Sequence, residues 1–378
     1  MTSPLRLHLV LFVLTFCSLV TAQSKSELRR NCPKPCHTCN KTAVICKRAS
    51  QTNTDIFLPI TDTFFPELDT LVISGNNFGE LGKESLFGPE VTHRKLSKLD
   101  LSSDGITVLH AEIFDKMPNL EVLDLTRNDI REIRGDLLKF LPKLQVMYLS
   151  SAFDSELDSN QLSDLVYQLF AQSEAKLHPL QQIYLDYNQL VFLKEDTFCK
   201  LKALDILFLN NNNLTAFNFA SNCFPSLRQL ELNGNKIQFV PQKQVDLLDK
   251  LIHISNLDLS DNPLVCNCYL APFIKWSSEN EDLMKETVEQ TQCADSFPTD
   301  FKGMAISNLD WQKLKCKDDG EYIHTVYIFV ALALIGLCLM IACLVYSNRD
   351  ILRRRQYGVV GGYHKLDPEE VQVRPEFV

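Results

Sequence analysis

Basic residues are in deficit here, 38 lysines and arginines against 47 aspartates and glutamates, and the shortfall argues against nucleic acid as a partner. Histidine is sparse as well, with eight scattered along 378 residues. No Ser-His-Asp set, paired-carboxylate spacing or run of metal ligands stands out, so the sequence points away from an enzyme, a cofactor or a catalytic metal. Formal charge is missing altogether from two long stretches. The first, Leu7 to Val20, follows Arg6 and leads into the small-residue exit Val20-Thr21-Ala22, which reads as a signal peptide over residues 1–22. The second, Val326 to Tyr346, is 21 residues long. At about 1.5 Å per residue it crosses a hydrocarbon core of about 30 Å. We therefore read a transmembrane helix over 323–346. Arg349, Arg353, Arg354 and Arg355 follow the span, and Asp318, Asp319 and Glu321 precede it, which places the N-terminus outside and residues 347–378 in the cytoplasm.

Setting aside one basic residue in the signal, and six basic and five acidic residues in the tail, leaves 31 basic against 42 acidic in the ectodomain, a charge of −11. Such a surface is kept soluble by its charge and favours encounter with basic ligands. Of the 13 cysteines, Cys17 leaves with the signal, Cys338 and Cys343 lie in the span, and ten remain outside. An even number in an oxidising compartment reads as disulfides. Cys36-His37-Thr38-Cys39, with Cys32 and Cys46, also has the look of a redox pair or a zinc site.

What is abundant is leucine at a fixed period. The pattern Leu-x-x-Leu-x-Leu-x-x-Asn-x-Leu starts at Leu68, Leu96, Leu120, Leu180, Leu204, Leu227 and Ile254, with a degenerate copy at Leu144. This is the signature of leucine-rich repeats, and it predicts an α/β repeat fold, a solenoid spanning residues 61–265. Each unit gives one short strand, as at Leu123-Asp124-Leu125, whose leucines point inward; one unit alone cannot shield them, so the units stack. Asn76, Asn128, Asn188, Asn212, Asn235 and Asn262 recur at the turn after the strand, where an amide can satisfy buried backbone groups. Asp104 takes that place in the second unit. Ala152 takes it in the fourth and cannot serve, which predicts an irregular turn. Phe114 and Phe198 read as an aromatic spine on the outer side. Cys199 and Cys223, 24 residues apart, fall one repeat apart and predict a staple between neighbours. Asn40-Lys41-Thr42 and Asn213-Leu214-Thr215 are glycosylation sequons, read as exposed.

From Leu144 to Leu180 the interval is 36 residues where 24 would be expected, so residues 151–178 form an insert. Leu162, Leu165, Val166 and Leu169 have helical spacing, predicting an amphipathic helix folded on the solenoid, either as a cover over the turn at Ala152 or as a direct binding element. Strand alternation places one residue of each repeat on the concave face. In order these are Val72, Asp100, Asp124, Tyr148, Tyr184, Phe208, Glu231 and Asp258. Three aromatics flanked by carboxylates, enlarged by Val146, Tyr187 and Ile206, have the anatomy of a protein-binding hot spot. The insert, a bound second copy of this chain, or packing of the rings on each other is the competing account of the patch.

The tail is too short for a signalling domain and can only recruit. Tyr357-Gly358-Val359-Val360 and Tyr363-His364-Lys365-Leu366 resemble tyrosine-based signals read by clathrin adaptors, and Glu376-Phe377-Val378 fits a PDZ groove. The Cys32 to Cys46 segment (23–60) resembles the N-terminal cap of extracellular leucine-rich-repeat proteins. Asn262-Pro263-Leu264-Val265-Cys266-Asn267-Cys268-Tyr269-Leu270 with Phe273, Trp276, Cys293 and Cys316 (266–322) resembles the C-terminal cap. The resemblance implies Cys266–Cys293 and Cys268–Cys316 bridges, with Cys32–Cys39 and Cys36–Cys46 at the other end. The gap between the second and third cysteines is one residue longer than in that pattern, so the N-terminal pairing stays open. With two repeat blocks around a polar insert, Tyr346-Ser347-Asn348-Arg349, Gly362-Tyr363-His364 and a terminal valine, the whole chain resembles the trophoblast glycoprotein-like family of leucine-rich-repeat type I membrane proteins; its tail is shorter and its penultimate residues differ. The resemblance implies a plasma-membrane modulator or inhibitor of Wnt signalling that binds an extracellular or co-membrane protein. A cell-adhesion or matrix-binding protein is the alternative.

Overall fold

The computed structural model describes residues 32–174, 178–220, 222–284, 287–316 and 320–347. The signal read at 1–22 and the tail motifs at Tyr357, Tyr363, Glu376, Phe377 and Val378 lie outside them. The chain divides into two compact units, Met1–Cys316 and Lys317–Val378.

In the first unit ten strands make one sheet: Thr38–Cys39, Ala43–Lys47, Thr70–Ser74, Lys98–Asp100, Val122–Asp124, Val146–Tyr148, Gln182–Tyr184, Ile206–Phe208, Gln229–Glu231 and Asn256–Asp258. The first pair is antiparallel, and from Ala43–Lys47 onward each strand lies parallel to the one before. A parallel neighbour requires the chain to cross back each time, and each crossing makes the opposite wall of a solenoid. In the first repeats that wall carries a second parallel sheet, Gly79–Leu81, Ile106–His110 and Glu132–Arg134.

Alternation sets the core. The middle residue of each repeat strand, Leu99, Leu123, Met147, Ile183, Leu207, Leu230 or Leu257, is buried, and so is the residue two further on, Leu101, Leu125, Leu149, Leu185, Leu209, Leu232 or Leu259. Phe114 and Phe198 are buried too, and the Phe198 ring meets Phe170, Phe219 and Phe224 at 5.5–6.2 Å between centroids.

The turn asparagines form a ladder. Asn212 Nδ2 donates to the carbonyls of Leu185 and Leu209, while its Oδ1 accepts from Asn188 N and Leu190 N, all at 3.0 Å. Asn128, Asn188, Asn235 and Asn262 bridge neighbouring repeats in the same way. The rung at Ala152 is filled by backbone: its carbonyl accepts from Ile130 N at 3.0 Å. The turn therefore keeps its cross-repeat hydrogen bond without an amide side chain, and its irregularity is a change of acceptor.

Within the insert, Ser159–Ala171 is an α-helix. It starts on a capping box: Asp158 Oδ1 accepts from Asn160 N and Gln161 N, and Gln161 Oε1 accepts from Asp158 N. Leu162, Leu165, Val166, Leu169 and Phe170 are buried. Gln168 Nε2 donates to Ile133 O at 2.8 Å, and Tyr167 O–H donates to Asp196 at 2.9 Å. These partners place the helix on the wall opposite the main sheet.

Among the described residues five disulfides are formed: Cys32–Cys39, Cys36–Cys46, Cys199–Cys223, Cys266–Cys293 and Cys268–Cys316. The pairing of Cys32, Cys36, Cys39 and Cys46 consumes the thiolates that a zinc site would need. At the far end the helix Ala271–Glu279 buries Phe273, Ile274 and Trp276 over the last repeat, and Trp276 Nε1 donates to Asp249 Oδ1 at 2.7 Å. In the second unit Gly320–Ser347 is one helix, whose stretch Val326–Tyr346 is long and apolar enough to cross a membrane.

Candidate functional site

Strand register puts Val72, Asp100, Asp124, Tyr148, Tyr184, Phe208, Glu231 and Asp258 side by side in one row across eight strands. Because the neighbours of each row residue in its own strand are buried, the row faces outward on the concave side. Tyr148 and Tyr184 stack at 4.4 Å between centroids with 26° between planes, and Tyr184 and Phe208 at 4.5 Å and 10°. All three rings are half-buried. Val146 and Ile206 occupy the parallel row two residues upstream, also half-buried. The insert helix is on the other wall and does not overlie this row. The rings do pack on each other, and that packing accounts for part of their burial.

The flanking carboxylates are tied into the frame. Asp100, Asp124 and Asp258 each accept from the backbone N–H two residues on, at 2.8–2.9 Å, which closes the turn after the strand. Glu231 is buried; it accepts from Gln229 Nε2 at 2.7 Å and Asn256 Nδ2 at 2.9 Å. Burial pushes the Asp124 carboxyl up from its ordinary value, opposed by the bonds from Thr126 and reinforced by Asp100. Burial likewise raises Glu231, opposed by Gln229 and reinforced by Asp258. The Tyr184 hydroxyl is raised by burial and then by Tyr148 beside it.

Tyr187 lies just past the row and is 58% exposed. It sits at φ 59°, in the left-handed region, at a turn position held elsewhere by Gly75, Ser103, Arg127, Ser151, Asn211, Gly234 and Asp261, all with positive φ. A bulky ring is unusual there, whereas the glycine, asparagine and aspartate at positions 75, 234, 211 and 261 fit the conformation more easily. Sequence reading missed two residues on this face: Asp186, which accepts from Ser150 Oγ at 2.6 Å, and Asn210. Carrying the alternation two residues past Tyr184 and Phe208 would have found both. Asn40 is exposed, whereas Asn213 is half-buried with Thr215 exposed, so the second sequon is less open than the register implied.

A family model described as leucine rich repeat matches residues 94–151 and 178–237, the blocks on either side of the insert. Mouse trophoblast glycoprotein is 28% identical over 201 residues, covering 50% of this chain and 45% of that protein. The chain is a leucine-rich-repeat protein similar to trophoblast glycoprotein. Human Toll-like receptor 5 is 30% identical over 134 residues, covering 35% of this chain and 14% of the receptor. Among solved structures, human trophoblast glycoprotein, also named Wnt-activated inhibitory factor 1, matches with a TM-score of 0.63 and 23% identity, over 75% of this chain and 99% of that one. That likeness establishes the shared solenoid fold. The chain aligns with less than half the length of these curated relatives, so their activities as whole proteins bear on it only as a proposal.

Proposed function

We propose that this chain is a single-pass type I protein of the plasma membrane whose concave face binds another protein and thereby modulates signalling, Wnt signalling in the first instance. The observation that carries the reading is the row of three stacked rings on an outward sheet face, flanked by ordered carboxylates and left uncovered by the insert. Aromatic side chains held rigid before binding lose little freedom on contact and make good anchors. The layout belongs to the same proposal: signal 1–22, caps at 23–60 and 266–322, repeats between them, a span at 323–346 and a tail that recruits adaptor or PDZ domains. Similarity of the repeat blocks to trophoblast glycoprotein, whose human form is also named Wnt-activated inhibitory factor 1, supports the Wnt pathway as the target.

The test compares the full-length chain with the Tyr184→Ala/Phe208→Ala variant in Wnt-reporter cells, matched for surface abundance so that misfolded protein is not counted. The expected result is a change in reporter output by the parent chain that shrinks at least about fivefold in the variant, as removal of two anchors should give. Equal effects of the two chains would contradict the reading.

A further inference from the structure

This inference rests on the concave face being a binding surface and concerns what the surface accepts. In the ring row the faces of Tyr148, Tyr184 and Phe208 are turned on each other, with 26° and 10° between planes, so the row presents ring edges outward. Ring edges carry the positive end of the quadrupole, and a cation is attracted to a face. The centre of the row therefore suits an apolar side chain, or an aromatic one meeting it edge to face. Both ends are different. Register sets Asp100 beside Asp124 at one end and Glu231 beside Asp258 at the other. Within each pair like charges sit one strand apart, and a cation between them relieves the repulsion. A second copy of this chain, with an ectodomain charge of −11 and the same carboxylates, would bring like charge against like charge.

We propose that the occupant is an extended segment of a partner protein carrying two basic side chains about six residues apart, with an apolar or aromatic residue two or four positions after the first, so that all three side chains fall on one face. The basic groups seat at the two carboxylate pairs and the apolar one on the ring row. The spacing follows from the sheet: Asp124 and Glu231 are four strands apart, roughly 19 Å at about 4.8 Å per strand, which an extended chain covers in about six residues. Tyr187, whose backbone N–H donates to Asn210 O at 3.2 Å, adds an exposed ring at the turn edge of the row, and its left-handed backbone is what aims it there.

The probes are fluorescent twelve-residue peptides whose second arginine stands four, six or eight positions after the first, with either tryptophan or glycine two positions after the first, on the same face of the extended chain. They are titrated by anisotropy against the full-length chain in lipid nanodiscs, with calcium-free buffer at two salt concentrations. The expected result is tightest binding near six, weakened about tenfold when glycine replaces tryptophan and weakened by salt. The Asp124→Asn/Glu231→Gln variant keeps the accepting oxygens that bond Thr126 N, Gln229 and Asn256, so its melting checks the fold; it should flatten the dependence on arginine spacing. Affinity indifferent to spacing, or unchanged in that variant, overturns the proposal. So does self-association abolished by the same substitutions, which would assign the face to a second copy. If Tyr184→Ala/Phe208→Ala removes the reporter effect while no peptide shows spacing dependence, the binding surface stands and this account of its occupant fails. If the reporter effect survives and no peptide binds, both fall.

Discussion

Asp104 holds the rung that asparagine holds at 128, 188, 212, 235 and 262. Its Oδ1 accepts from Asn76 N and Nδ2, but its Oδ2 is buried without a hydrogen-bond partner. Burial, opposed by the Asn76 bonds, pushes its carboxyl up to about 7. The folded chain therefore holds a proton there that the unfolded chain, with an ordinary value of 3.8, releases earlier. Stability from this group is greatest below about pH 4 and is lost as pH rises through 7. Asp104→Asn should stabilise the ectodomain above pH 7 by about 1–3 kcal/mol, with the gain shrinking toward pH 4, in melts taken across pH. A gain constant with pH would contradict the buried-acid account. His93 and His178 act with the opposite sign. Each is buried with Nε2 against a backbone carbonyl, Ile60 O or Leu141 O, and burial lowers each below its ordinary 6.5. Their stabilisation is present above 6.5 and is lost as pH falls. The sequence shows Asp104 out of step with its column; its protonation depends on how deeply the turn is buried, which no residue pattern states.

At the scale of elements, leucine periodicity was enough to place the repeat strands, because a two-residue alternation with one buried side permits one register. The insert helix was legible from Leu162, Leu165, Val166 and Leu169. Its docking of Phe170 on Phe198, and the backbone rung at Ala152, were not, since both depend on partners 22 to 28 residues away. Asp158→Ala removes the helix cap and should cost about 1 kcal/mol. Hydrogen exchange should quicken across Ser159–Ala171 while Val146–Tyr148 and Gln182–Tyr184 stay protected; loss of protection in those strands as well would mean that the insert is part of the core. The Cys199–Cys223 bridge joins adjacent repeats, and replacing both cysteines by alanine should lower stability by about 3 kcal/mol in chemical unfolding.

For the whole molecule, one sheet face carries the proposed contact and the other wall carries the insert. The row Asp100 to Asp258 could be written down from alternation. Alternation tells which face a side chain takes and is silent on its bonds, so the return of Asp100, Asp124 and Asp258 to their own turns and the burial of Glu231 came from the fold. Tyr187 was legible as an aromatic but not as a ring on a left-handed turn. The most direct measurement places a photo-crosslinking amino acid at Tyr187 on the concave face, or at the exposed Asn160 on the insert helix, in the full-length chain on signalling cells. The account predicts that one partner protein is captured from position 187, and that Tyr184→Ala/Phe208→Ala abolishes this capture, with no adduct to that protein from 160. Capture of the signalling partner from 160 and not from 187 would contradict it.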